Sequence, residues 1–164
     1  MIEIYLNELE QEAQITRKML SIVPNDSYNW QPHAKSMTIS RLASHVAEVF
    51  GWISMVLTTS ELDFATAEQP PQYHNTGDVL AYFEANYAAA RAQLQAATES
   101  DLTLPWTMRS GDIIYFTQTK AEVIRMSFSQ IIHHRAQLGV FLRLLNVPIP
   151  GSYGPSADEM EVVF

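Results

Sequence analysis

The sequence predicts an all-α fold, a four-helix bundle spanning residues 1–164 as one domain. Three observations carry that expectation. Apolar residues recur at three- to four-residue spacing through four long stretches, and prolines and short polar runs separate those stretches. A chain of 164 residues, 47% of them hydrophobic, is also large enough to bury one sizeable core and too small for two.

Tyr5, Leu9, Ala13, Thr16, Leu20 and Val23 form the stripe of helix one, which Pro24-Asn25-Asp26 stops. After a loop through Trp30-Gln31-Pro32-His33, Thr38 is placed to cap helix two, whose apolar face is Ile39, Leu42, Ala43, Val46, Val49, Phe50, Ile53 and Leu57. That helix ends near Thr58. The stretch from Ser60 to Thr76 contains Gln69-Pro70-Pro71 and no sustained period, so it reads as a long crossover loop. Helix three begins around Asn75-Thr76 and carries Val79, Leu80, Phe83, Tyr87, Ala90 and Leu94. Leu102-Thr103-Leu104 and Ile113-Ile114-Tyr115-Phe116 then flank Arg109-Ser110-Gly111-Asp112, the pattern of a small β-hairpin before helix four. Thr119 and Glu122 have capping-box spacing, and the periodic run that follows reaches Asn146, where prolines at 148 and 150 end it. Pro150 to Pro155 reads as a surface tail leading into acids.

Composition narrows the function. With 18 acidic against 10 basic residues the formal charge is −8, which opposes the counterion-release binding that nucleic acids require. No nucleic-acid partner is expected. The first eight residues carry acids where a signal peptide needs basic residues, and the apolar stretch Phe50 to Leu57 is too short to span a bilayer. A cytoplasmic protein with no membrane partner is therefore expected. Without cysteine, no protein thiolate can act as nucleophile or ligand, so any metal would sit on His, carboxylate or amide groups.

The five histidines, His33, His45, His74, His133 and His134, are accordingly the chemical candidates. At about 100° per residue, the core stripe of helix four is Ile124, Ser127, Ile131, Leu138, Leu142 and Leu145, with His134 inside it and His133 off it. His45 lies at the edge of the helix-two stripe beside Trp52 and Glu48. If helices two and four are neighbours, His45 and His134 converge, the way bundle metal sites are assembled. The amide oxygen of Gln130, four residues before His134 and on its face, is the third candidate donor, with Glu48 or His133 as substitutes. A hydrogen-bonded core histidine is the structural alternative. His33 and His74 lie in proline-containing loops and read as surface residues.

The segment His45-Val46-Ala47-Glu48-Val49, preceded by Trp30 and Ser40-Arg41-Leu42, resembles the DinB-like family. So do Ile132-His133-His134-Arg135-Ala136-Gln137-Leu138, Phe141-Leu142-Arg143 and the closing Val147 to Pro155 phrase. The resemblance implies up-down-down-up connectivity, a homodimer, and a divalent metal, nickel or zinc, at the positions of His45, Gln130 and His134. Gln130 stands where that family usually has a third histidine. Relatives of this kind include metal-dependent transferases and isomerases that use low-molecular-weight thiols such as bacillithiol or mycothiol. The implied activity is transfer or hydrolysis on a small-molecule substrate, with the metal activating a thiol or water. Lacking cysteine, this chain would take its thiol from the substrate side. The alternative is a non-catalytic ligand-binding or stress-related bundle whose metal site is degenerate at position 130.

Overall fold

A computed structural model describes residues 1–160. Four helices make up most of it: α1 (Ile2–Ser21), α2 (Ile39–Thr58), α3 (Thr76–Ala96) and α4 (Lys120–Leu144). The starts follow the capping chemistry in the sequence. Thr38 accepts from the Arg41 amide at 3.2 Å, Asn75 accepts from the Asp78 amide at 2.9 Å, and Thr119 with Glu122 closes a reciprocal capping box. At the far end of α4, Asn146 adopts a positive φ of 58° that breaks the helix before Pro148.

Long-range contacts fix the directions. Tyr5 Oη donates to the Ala121 carbonyl at 3.0 Å and Arg135 reaches Glu12, so α1 and α4 run together. Ser40 meets His74 near the starts of α2 and α3, and Gly51 meets Asn86 further along both, so this pair is parallel too. Lys120 Nζ at the start of α4 donates to the Leu57 carbonyl at the end of α2, which makes those two antiparallel. The Met1 ammonium on Glu99 does the same for α1 and α3. This is the expected up-down-down-up bundle. Two consecutive parallel helices require the chain to travel back along α2, which is why 59–75 is long.

The expected hairpin before helix four is present, but it belongs to a three-stranded sheet, order β1-β2-β3, so the all-α class is corrected to a helical bundle with a small sheet. β1 (Glu61–Asp63) lies inside the crossover and pairs parallel to β2 (Pro105–Ser110), which turns through Gly111 into antiparallel β3 (Ile113–Thr119). Three residues are too few to show a period of two, and β1 finds its partner far along the chain, so its segment read as loop. The first arm of the hairpin also begins later than its β-prone residues suggested. Asp101 accepts from both the amide and the hydroxyl of Thr98 at 2.7 Å, winding Asp101–Thr103 into a 3₁₀ turn that buries Leu102. The strand starts at Pro105, which has no amide to leave unpaired.

Phe50, Ile53, Phe83, Leu94, Phe128, Ile131 and Leu138 fill the bundle interior with no exposed surface. Each such side chain contributes about 1.5–3 kcal/mol on burial. Trp106 of β2 plugs one end, fully buried, its Nε1 donating to Thr59 Oγ1 at 3.0 Å. The tail beyond α4 returns along the bundle, with Asp158 paired to Arg143 and Glu159 accepting from the Gly151 amide. The expected domain end and the last acid, Glu161, lie outside the described residues. Among the described residues no helix is long and apolar enough to cross a membrane.

Candidate functional site

On helix four the inward position is Arg135 rather than His134. Arg135 is 2% exposed and lies with Ser127, Phe128, Ile131 and Leu138 on the buried face. A stripe drawn through apolar residues alone gives the centre to a histidine. The arginine takes it because Glu12, Thr16 and Tyr153 satisfy its guanidinium, at 2.5, 2.9 and 2.9 Å. His134 is displaced to the shoulder of α4 that faces α2, where it is half-buried.

There it meets His45. The two rings pack edge to face with centroids 4.6 Å apart, one from each antiparallel helix. His45 Nδ1 donates to Glu48 Oε2 at 2.9 Å, since a carboxylate can only accept. Trp52 Nε1 donates to the other oxygen of Glu48 at 3.3 Å, holding the acid between them. His134 Nδ1 is matched to Gln137 Oε1 at 2.9 Å, one turn further along α4. In the neutral form of either ring, an Nδ1 that donates leaves the lone pair on Nε2. Neither Nε2 enters a hydrogen bond among the described residues, and no side-chain nitrogen or oxygen there is both buried and unpartnered, so both face open space. Burial lowers the pKa of His134 below its ordinary 6.5, with the nearby His45 and His133 acting in the same direction. The ring is therefore neutral near pH 7.

Two hollows adjoin the rings. His45 lines a cleft of about 480 Å³ between α2, α3 and the crossover, walled by Trp52, Met55, Leu62, Phe64 and Tyr82. His134 and Gln137 line a second, of about 340 Å³, closed by Lys35, Met37 and Phe141. Gly51 allows Asn86 of α3 to approach the cleft wall, because a Cβ there would come within 2.7 Å of Asn86 Oδ1.

Of the expected ligand residues, His45 and His134 are brought together. Gln130 is half-buried and hydrogen-bonds neither ring. Glu48 is occupied by His45 and Trp52, and His133 is exposed, its ring centroid 4.8 Å from that of His134. The donor set has the chemistry of two imidazoles whose far nitrogens are fixed by acceptors, the usual support of a ligating histidine. Among the described residues, no group of three or more His, Cys, Asp or Glu is placed to hold an ion. His33 and His74 are both exposed loop residues, in line with their sequence context.

Sequence reasoning missed Arg41, Tyr82, Asn86 and the crossover side chains. Arg41 was within reach, four residues before His45 and seven before Glu48, on one face of α2. The others come from segments that no local spacing connects to α2.

The fold and site thus define a four-helix bundle of mixed parallel and antiparallel helices, with an imidazole pair at the wall of a cleft. The chain belongs to the DinB family, whose model matches residues 2–162. It is 22% identical over 162 residues to the uncharacterized protein YrdA of Bacillus subtilis, covering 96% of this chain and 91% of that one. Its fold is shared with a DinB-like protein from Bacillus cereus, at a TM-score of 0.71 and 20% identity over 92% of this chain and 97% of that one. A mycothiol-dependent maleylpyruvate isomerase is also similar in fold, with a TM-score of 0.62 and 16% identity over 85% of this chain and 61% of that one.

Proposed function

We propose that the face shared by α2 and α4 is the reaction site of a small-molecule enzyme. In it His45 and His134, with Gln130 or water as a further donor, take a divalent cation, nickel or zinc. The observation that supports this most is the pair of free Nε2 lone pairs on touching rings, each ring fixed at Nδ1 by a neighbour on its own helix. A bound divalent ion would lower the pKa of a thiol or water and so supply a nucleophile at neutral pH. The protein's own part is positional. Glu48 keeps His45 in the tautomer that leaves Nε2 open, Gln137 does so for His134, and burial keeps His134 uncharged. With no cysteine in the chain, a reacting thiol would arrive as a low-molecular-weight compound. Membership of the DinB family and the fold shared with a mycothiol-dependent isomerase support that class of partner.

The rival function is a non-catalytic ligand-binding bundle. The engagement of Glu48 by His45 and Trp52 favours it, because among the described residues no group of three His, Cys, Asp or Glu is placed to hold an ion. Elemental analysis of untagged protein beside His45→Ala and His134→Ala separates the two. Near-stoichiometric metal lost in both variants is the expected result; no metal, even after divalent ions are added back, would leave the non-catalytic function.

A further inference from the structure

The arginines of this chain are mostly spent. Arg17, Arg109, Arg125, Arg135 and Arg143 each hydrogen-bond an acid. Arg41 does not. Its guanidinium lines the cleft beside His45 and forms a loose ion pair with Glu48, Nη1 to Oε2 at 3.8 Å, which is too long for a hydrogen bond. Each Glu48 oxygen is already held by a closer donor, Oε2 by His45 at 2.9 Å and Oε1 by Trp52 at 3.3 Å. Among the described residues a rigid fork of donors thus makes no hydrogen bond in a cleft with largely apolar walls, Arg41 being its one Lys or Arg.

We propose that this cleft takes a small molecule carrying a single carboxylate on an apolar body of roughly aromatic size, anchored by Arg41. A carboxylate matches the guanidinium fork with two parallel hydrogen bonds, and low-polarity walls strengthen that match. Trp52, Met55, Leu62 and Phe64 supply the surface for the apolar body, in a volume of about 480 Å³ that suits a small ligand. One charge is specified rather than two, because Glu48 and Glu68 also line the cleft and would repel a second carboxylate. Arg41 sits one helical turn before His45, so a ligand anchored there lays its body along the open side of the imidazole pair. This substrate class rests on the proposal that the α2–α4 face is the reaction site.

The test uses 3-phenylpropanoate and its neutral analogue 3-phenylpropanamide, titrated calorimetrically into chelator-treated full-length protein, with the imidazole resonances followed by NMR. The acid is expected to bind about tenfold or more tightly than the amide and to shift the His45 ring signals. Arg41→Gln should erase the preference, and Arg41→Lys should keep part of it. Equal binding of acid and amide, a preference that survives Arg41→Gln, or no binding of either probe would overturn the proposal. The acid-amide comparison on the unaltered chain holds whatever the variants' stability. Metal uptake on the same preparation is scored separately: zinc held by the two histidines with no acid preference would remove this inference alone. An Arg41-dependent preference without metal uptake would remove the metal alone.

Discussion

His134 and Arg135 are adjacent on α4, yet they sit in opposite kinds of polar environment. Arg135 turns toward α1 and is closed off: Glu12, Thr16 and Tyr153 meet its donors, and Tyr153 itself donates to Glu12 at 2.7 Å. His134 turns toward α2 and is left open, with one nitrogen fixed and the other free beside a hollow. A polar cluster whose groups are all satisfied holds helices in place, whereas one that keeps an unspent lone pair or donor can still receive a ligand. The same contrast separates the arginines that hydrogen-bond an acid from Arg41, whose ion pair with Glu48 is too long for a hydrogen bond. Counting unspent groups thus distinguishes scaffold from site more sharply than burial does.

The largest expected effect breaks the closed cluster. Glu12→Gln leaves a buried guanidinium without its counter-charge and should cost about 3–5 kcal/mol in chemical denaturation, with metal binding at His45 and His134 little changed once the variant is folded. A loss under about 1 kcal/mol would mean the cluster is solvated and not part of the scaffold. On the open side, Gln130→His should tighten divalent-metal binding by about tenfold, or about 1.4 kcal/mol, measured by competition with a chelating dye. Unchanged affinity would place residue 130 away from the two rings.

A smaller effect follows from protonation. Because the folded pKa of His134 lies below its ordinary 6.5, the unfolded chain binds more protons between those two values. Stability from this group is therefore complete above pH 6.5 and falls as the pH drops from there through the folded value. His134→Ala should flatten that slope, which denaturation midpoints across about pH 5 to 8 would show. The smallest effect belongs to the tail. Hydrogen bonding by Arg143 holds Asp158 at about 2 instead of 3.8, a contribution present above pH 3.8 and lost as the pH falls toward 2. Asp158→Asn should raise amide exchange around Ile149 and leave the bundle unaffected, since the Ile149 amide donates to that carboxylate.

Local chemistry was legible in the sequence and long-range chemistry was not. Thr38 and the Thr119 capping box announced two helix starts, and helical spacing brought His45 and His134 toward each other. β1 escaped because its three residues gain meaning only from β2. Arg135 escaped because a stripe drawn from apolar residues has no place for a cation whose acid lies on another helix. The cleft escaped for the same reason: its walls come from α2, α3 and the crossover, which no single spacing relates. The placement of Arg41 beside His45 and Glu48 was present as spacing, but its lack of a hydrogen bond among the described residues became visible only when every other partner was placed.

The central claim is that His45 and His134 offer two free Nε2 lone pairs to one ligand. Long-range ¹H–¹⁵N NMR of the imidazoles during a zinc titration tests it most directly. The expected spectrum has Nδ1 protonated and Nε2 bare on both rings before zinc, with both Nε2 signals moving together as the ion is added. A protonated Nε2 on either ring, or two rings that respond independently or not at all, would contradict the claim.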